Sequence, residues 1–233
     1  MAPRRGWFFG GRGIATPYLE RLCGDGVVAL SMDYPLAPEA RHPEPLHVLA
    51  DGVAGVLEAA GLAGVPVVLA GDSAGAGLAV ALARLTGEEQ YAAAVGVRPP
   101  LPREQIAGVL LCCGVFSPRG TQQADRWSAE ILASSAWALS GERKWQLSAF
   151  AEHLDAVRGT ASPLPPTLLV SASGDPLHAN QSVPFAAALT RLGSPVEMWV
   201  SDDPGAGHEF QFDLPTAAAV DALERVRGFL RQL

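Results

Sequence analysis

The sequence predicts an α/β fold in which a mostly parallel sheet is flanked by helices. Short apolar runs alternate with longer amphipathic or alanine-rich stretches along the 233 residues. The apolar runs show no polar alternation, which is typical of strands buried on both faces of a parallel sheet. Ligand sites in such sheets lie beyond the carboxyl ends of the strands, so we expect the functional residues there.

Five apolar runs are the predicted strands. They are Val27–Met32, Val65–Ala70, Ile106–Gly114, Thr167–Ala172 and Pro195–Val200. Four stretches are the predicted helices, namely Pro45–Ala60, Ala74–Leu85, Ser182–Leu192 and Pro215–Leu230. We expect Pro215 in the first turn of its helix, where proline is tolerated. The segment between Gly87 and Arg103 is predicted to be an exposed loop. The alternation of strands and helices indicates an α/β fold with a mostly parallel sheet.

One segment, residues 116–166, breaks the alternation. It carries Trp127, Trp137 and Trp145 among helix-forming residues. We interpret it as a helical insertion over the sheet, which either packs against the core or forms a lid or acyl-pocket wall. The chain length suits one domain spanning residues 1–233.

Composition and charge limit the kinds of molecule that this protein is expected to bind. The net charge is −7 and lysines and arginines form no block, so we expect no nucleic-acid binding. Apolar runs fall well short of the ~20 residues that span a bilayer, and the N-terminal one is too short for a signal peptide. We therefore expect a soluble cytoplasmic protein. Cys23, Cys112 and Cys113 have no metal-site spacing, and the adjacent Cys112 and Cys113 are interpreted as two small buried apolar side chains. The oligomeric state is left open.

The strongest motif is GDSAG at residues 71–75, between a predicted strand and a predicted helix. A serine in this context sits on a tight, strained turn with its hydroxyl exposed, which makes Ser73 the candidate nucleophile. Gly71 and Gly75 are needed because larger side chains would collide in the turn. The N–H of Ala74, at the start of the helix, is the candidate oxyanion donor.

A second motif, DYPLAPE at residues 33–39, precedes it. Together the two strings resemble the hormone-sensitive-lipase-like family of bacterial esterases, whose usual strings are GDSAGG and DYRLAPE. Pro35 stands in place of the arginine and Ala76 in place of the last glycine. The resemblance runs from about Gly6 to the C-terminus. It implies an α/β-hydrolase fold and hydrolysis of carboxylic esters with short or medium acyl chains, with Tyr34 and Glu39 shaping the site.

A serine hydroxyl requires a base, and His208 is the leading candidate. It lies among small residues in GAGHEF, after the last predicted strand. The family pattern here is H-G-F, so the histidine matches and Glu209 departs from it. The other candidates are the remaining histidines, which are His42, His47, His153 and His178.

The acid that orients the base is expected between the serine and the histidine in the chain. Asp175 directly follows the fourth predicted strand, and its DPL string matches the family's D-P-L turn. Asp202 and Asp203 are alternatives that fit a turn better. Asp72 is interpreted as a structural hydrogen-bond acceptor.

These residues predict a serine hydrolase. His208 would deprotonate Ser73, Asp175 would fix the imidazole tautomer, and water would release the acyl group. The expected partner is a small-molecule ester, with no metal and no organic cofactor. Two alternatives stay open: an amidase or formamidase with the same triad, and a non-catalytic hydrolase-like protein.

The N-terminal residues depart from the family, which places an H-G-G-G oxyanion loop before its DYRLAPE string. Residues 3–6 read PRRG, so Gly6 matches the last glycine of that loop and Arg5 replaces the glycine before it. Beside Ala74, Gly6 and Arg5 are therefore the candidate oxyanion positions. Pro-Arg-Arg can be encoded by the codons CCA-CGG-CGG, and the same bases read one position later begin with the codons for His-Gly-Gly. This suggests a frame-shifted or truncated start. The family's first three strands would lie upstream. We expect a gap in the middle of the sheet, weak activity and a tendency to aggregate.

Overall fold

The computed structural model describes residues 2–4, 7, 11–24, 26–120 and 126–233, with the main chain alone for 2–4 and 127. Five parallel strands form one sheet in chain order. They are β1 (Ala2–Arg4), β2 (Val67–Ser73), β3 (Ile106–Cys112), β4 (Thr167–Ala172) and β5 (Val196–Ser201). The predicted α/β-hydrolase fold, with a parallel sheet flanked by helices, is confirmed.

The helices surround this sheet. They are α1 (Thr16–Leu22), α2 (Glu44–Ala59), α3 (Ala74–Gly87), α4 (Glu89–Val95), α5 (Arg126–Ser140), α6 (Ala149–His153), α7 (Ala156–Gly159), α8 (Val183–Arg191) and α9 (Ala217–Leu230). Helices α2, α3, α8 and α9 match the predicted four within a few residues. No helix in the described residues is long and apolar enough to cross a bilayer.

Two predictions about the helices are wrong. Pro215 lies before α9, and Thr216 caps that helix by accepting a hydrogen bond from the Ala219 N–H at 3.3 Å. The segment predicted to be a loop after Gly87 contains α4 instead. Tyr91 and Val95 bury the inner face of α4, so tertiary packing stabilises a helix that the surrounding prolines obscure.

The sheet separates two apolar layers. Helices α1 and α9 pack on one face together with Leu110 and Cys112 of β3. Val109 and Leu111 of the same strand point into the other layer, which contains α2, α3 and α8. Because successive side chains of a strand point to opposite faces, burial on both faces requires an unbroken apolar run.

Helices α5, α6 and α7 lie between β3 and β4 in the chain, and buried polar groups hold this segment to α3. Arg84 and Glu88 form an ion pair at 3.0 Å, and their side chains are 4% and 5% exposed. The Arg84 guanidinium donates to the Gly159 carbonyl at 2.6 Å, and the Glu88 carboxylate accepts from the Ala161 N–H at 3.0 Å. This ion pair therefore also supplies hydrogen-bond partners to the Gly159 carbonyl and the Ala161 N–H at the end of the segment.

The predicted strand Val27–Met32 is wrong. This segment is not a strand, and its first residue makes only an isolated bridge with Gly24. A strand needs a hydrogen-bonding neighbour. β1 has three residues and pairs with β2 only at residues 71–73, and no described strand pairs with residues 27–32. A cavity of about 480 Å³ lies between residues 27–32 and residues 67–70 of β2, with α2 as a further wall. We refer to it as the sheet-gap cavity.

Candidate active site

The turn at Ser73 holds the serine hydroxyl above the carboxyl end of β2. Ser73 has φ 48° and ψ −121°, a conformation that is strained for a residue with a side chain. Space in the turn is minimal, since a Cβ at Gly71 would lie 2.2 Å from the Gly75 carbonyl oxygen. The Val115 N–H donates to the Ser73 carbonyl at 3.0 Å and fixes the turn against the end of β3.

The loop after β5 brings His208 to this serine. His208 Nε2 lies 3.0 Å from Ser73 Oγ, and the imidazole is 30% exposed. The other histidines lie elsewhere: His42 Nε2 is 3.1 Å from His153 Nδ1, and His178 Nδ1 is 3.1 Å from Ser171 Oγ. His47 is exposed on α2.

The turn after β4 supplies a carboxylate to the other nitrogen of the ring. Asp175 Oδ1 and Oδ2 lie 3.1 Å and 3.2 Å from His208 Nδ1. Asp175 is buried and also accepts from the Leu177 N–H at 2.9 Å. A carboxylate at Nδ1 favours the tautomer with its proton there, which leaves the Nε2 lone pair directed at Ser73.

The glycine at position 174 allows the acid loop and the histidine loop to approach each other. A Cβ at Gly174 would lie 2.6 Å from the Ala206 carbonyl oxygen, so the acid loop and the histidine loop meet closely there. Asp203, an alternative acid, instead accepts from the Gly205 N–H at 2.8 Å and closes a turn. The structure brings Asp175 to the imidazole and leaves Asp203 in this turn.

The candidate oxyanion donors are described only in part. Ala74 is buried at the first position of α3, where main-chain N–H groups have no partner within the helix. Gly6 and Arg5 lie outside the described residues. The next residue, Trp7, is buried, and its carbonyl accepts from the Ala37 N–H at 3.1 Å. This bond ties the N-terminal segment to the DYPLAPE motif, in which Tyr34 is buried and Glu39 is exposed.

Two residues beside the histidine carry chemistry that the sequence interpretation missed. Cys113 was interpreted only as a small apolar side chain, yet its thiol lies within 4.8 Å of ligand atoms of Asp175 and His208. Glu209 was noted only as a departure, and its Oε1 lies 4.0 Å from His208 Nε2. Sequence spacing carries no signal for the Cys113 contact, because it depends on how separate loops converge. Glu209 follows His208 directly in the chain, so its proximity is visible in the sequence, whereas its burial beside Nε2 is not.

The group formed by Cys113, Asp175 and His208 has the ligand types of a metal site. Burial, followed by the nearby Asp175 charge, raises the pKa of the Cys113 thiol well above its ordinary range. A neutral thiol is a poor metal ligand. It donates instead to Gln211 Oε1 at 3.7 Å, and Nδ1 of the imidazole is engaged by Asp175. The arrangement fits a hydrogen-bonded chain better than a metal centre.

Comparisons with known proteins agree with this architecture. Residues 6–212 match the model of a family described as alpha/beta hydrolase fold, and the chain belongs to that family. Esterase B of Lactobacillus rhamnosis has a TM-score of 0.80 at 21% identity, covering 99% of this chain and 75% of its own. An esterase of the archaeon Pyrobaculum calidifontis has a TM-score of 0.77 at 20% identity, covering 99% and 75%.

A bacterial heroin esterase has a TM-score of 0.73 at 24% identity and covers 98% of this chain and 73% of its own. At these identities the likeness concerns the fold. No curated protein matches the sequence significantly.

Proposed function

We propose that the chain is a serine hydrolase that cleaves carboxylic esters of short or medium acyl chain. The observation that carries the proposal is the continuous chain of contacts from Ser73 Oγ to His208 Nε2, at 3.0 Å, and from His208 Nδ1 to Asp175, at 3.1 Å. Nucleophile, base and orienting acid stand in the order that a serine hydrolase requires. The esterase names of the structural neighbours support the ester as substrate class.

The first half-reaction forms an acyl-enzyme. Ser73 Oγ attacks the ester carbonyl carbon while its proton passes to Nε2 of His208. Asp175 stabilises the imidazolium that results, and the N–H of Ala74 stabilises the negative oxygen of the tetrahedral intermediate. The imidazolium then protonates the alcohol oxygen as the carbon–oxygen bond breaks, and the alcohol leaves.

The second half-reaction repeats these roles with water. His208 takes a proton from water, whose oxygen attacks the acyl carbon, and returns it to Ser73 Oγ as the acid leaves. We further propose that main-chain groups near Arg5 and Gly6 complete the oxyanion site, as the family resemblance implies. The insertion at residues 116–166 is proposed as a wall of the acyl pocket.

A turnover series with p-nitrophenyl acetate, butyrate and octanoate tests the proposal. We expect hydrolysis by the parent chain and a loss of several orders of magnitude in Ser73→Ala and His208→Ala, since the triad acts as a unit. Asp175→Asn should cost on the order of 10⁴-fold through the wrong tautomer.

His178→Gln is the matched control, because this histidine contacts Ser171 outside the triad. It should leave turnover near that of the parent. Near-parent turnover in His208→Ala would contradict the assigned base.

A further inference from the structure

Glu209 places a second carboxylate against the imidazole of His208. Asp175 faces Nδ1 at 3.1 Å, and Glu209 Oε1 lies 4.0 Å from Nε2. Nε2 is also the nitrogen that lies 3.0 Å from Ser73 Oγ. Both nitrogens of the ring therefore have a carboxylate nearby.

Burial strengthens the effect of this carboxylate. The Glu209 side chain is 2% exposed, and charges that are removed from water interact more strongly. A buried carboxylate is unfavourable unless charges or hydrogen-bond donors compensate it. An imidazolium at His208 is a charge of the required sign at a suitable distance.

The main chain at Glu209 is also unusual for its residue type. Glu209 has φ 61° and ψ 26°, in the left-handed region that favours glycine. The family string H-G-F has glycine at this position. A residue disfavoured by its main-chain conformation thus stands beside the candidate base, and strain held at such a place is a reason to look for a function.

We propose that Glu209 is a positioning residue for the triad, whose carboxylate supports the positive charge that His208 acquires on taking the proton of Ser73. The inference rests on the proposed serine-hydrolase function. As the bond from Ser73 Oγ to the acyl carbon forms, the proton moves to Nε2, and the imidazolium then lies between two carboxylates. The imidazolium then passes the proton to the oxygen of the leaving alcohol.

The charged and titratable groups that face the ring, in the part of the chain that the structure describes, come from three elements. Asp175 lies on the turn after β4, Cys113 follows β3, and Glu209 belongs to the loop of the histidine itself. The thiol of Cys113 is neutral, because burial raises its pKa well above the ordinary value. Asp213 borders the same surface recess as His208 and is exposed.

The direct test is an NMR titration of the His208 imidazole in the full chain, with His208→Gln identifying its signals. Removing a nearby negative charge disfavours the imidazolium, so Glu209→Gln should lower the pKa of His208 by about one unit or more. Glu209→Gly should do the same without a side chain in the left-handed region. Asp202→Asn is the matched control, since it removes an exposed carboxylate from the same loop and should leave this pKa unchanged.

An unchanged pKa of His208 in both Glu209 variants would overturn the proposal, as would an equal fall in Asp202→Asn. With p-nitrophenyl acetate, the acidic limb of kcat/KM should move to lower pH by the same amount in Glu209→Gln, while the alkaline plateau falls several-fold because the base is weaker. A folded parent chain that hydrolyses no ester would contradict the proposed function. The NMR titration would still show whether Glu209 raises the pKa of His208.

Discussion

The strained turn at Ser73 is held by neighbours that have no room for a side chain. Gly71→Ala would place a Cβ 2.2 Å from the Gly75 carbonyl oxygen, which is main chain and cannot rotate away. We expect a loss of about 1–3 kcal/mol in the free energy of unfolding, together with loss of esterase turnover.

Gly55→Ala is the matched control, because an added Cβ there, on the exposed face of α2, meets nothing within 4 Å. It should raise stability by up to about 1 kcal/mol. Urea unfolding followed by circular dichroism measures both variants. Equal stability in the two would contradict the close packing of the turn.

The histidine pair at the edge of the insertion gives the fold a pH dependence. Burial, followed by the neighbouring His153, lowers the pKa of His42 from 6.5 to about 4. Because the folded value lies below the unfolded one, this contribution is present above pH 6.5 and is lost as the pH falls through 4, at up to about 1.4 kcal/mol per pH unit.

Melting temperatures between pH 7.5 and 4.5 test this dependence. The parent should lose stability more steeply than His42→Phe, which has no proton to gain. His47→Gln, an exposed substitution on α2, should follow the parent. Parallel curves for the parent and His42→Phe would show that the pair does not couple to folding.

At the scale of one residue, the sequence predicts a role where that role depends on the residues next to it in the chain. Ser73 has glycines on both sides and a helix after it, so its turn follows from local sterics. Asp175 and His208 follow strands, and their meeting follows from the fold. Cys113 reaches the histidine through the packing of separate loops, which no spacing in the sequence encodes. Glu209 adjoins His208 in the chain, and only the burial of its carboxylate beside Nε2 depends on the fold.

Among the elements, α3 connects the serine turn to the insertion through its buried ion pair. Glu88→Gln would leave the Arg84 guanidinium buried without a full counter-charge, and we expect a loss of about 3–5 kcal/mol in stability. Glu130→Gln breaks the exposed pair with Arg126 on α5 and should cost less than about 1 kcal/mol.

The double variant Arg84→Met/Glu88→Leu separates charge from packing. It should recover part of the loss, because apolar side chains of similar size need no counter-charge, while the Gly159 carbonyl and the Ala161 N–H lose their partners. Denaturant unfolding of the three proteins gives the comparison. A Glu88→Gln variant as stable as the parent would mean that the pair contributes little.

Strand prediction succeeded where burial and pairing agree. β3 and β4 are mostly apolar and lie between two neighbours each, so their sequences report their positions. Val27–Met32 has the same apolar character without a neighbouring strand in register. Apolar character favours burial, yet residues 27–32 are only partly buried, because a strand also requires a partner for its main chain. The partner cannot be deduced from the segment itself.

At the scale of the whole molecule, the sheet-gap cavity lies beside an open edge of the sheet. Its walls are apolar, and one of them is the edge of β2 at residues 67–70, which pairs with no described strand on that side. Open strand edges with apolar faces promote association. We expect the native chain to bind anilinonaphthalene sulfonate and to scatter light on concentration.

Val28 is 63% exposed and lines the cavity, so Val28→Lys should reduce both dye binding and scattering. Val220→Lys is the matched control, since Val220 is 42% exposed on α9 and lies away from the cavity lining. A monodisperse parent chain that binds no dye would contradict the prediction.

The central claim is that Ser73 is a nucleophile activated by His208, and a fluorophosphonate probe tests it most directly. Intact mass and peptide mapping of the full chain should show one adduct, located on Ser73, that disappears in Ser73→Ala and falls sharply in His208→Ala. His178→Gln should be labelled like the parent. A folded chain that remains unlabelled, or one labelled equally in Ser73→Ala, would contradict the account.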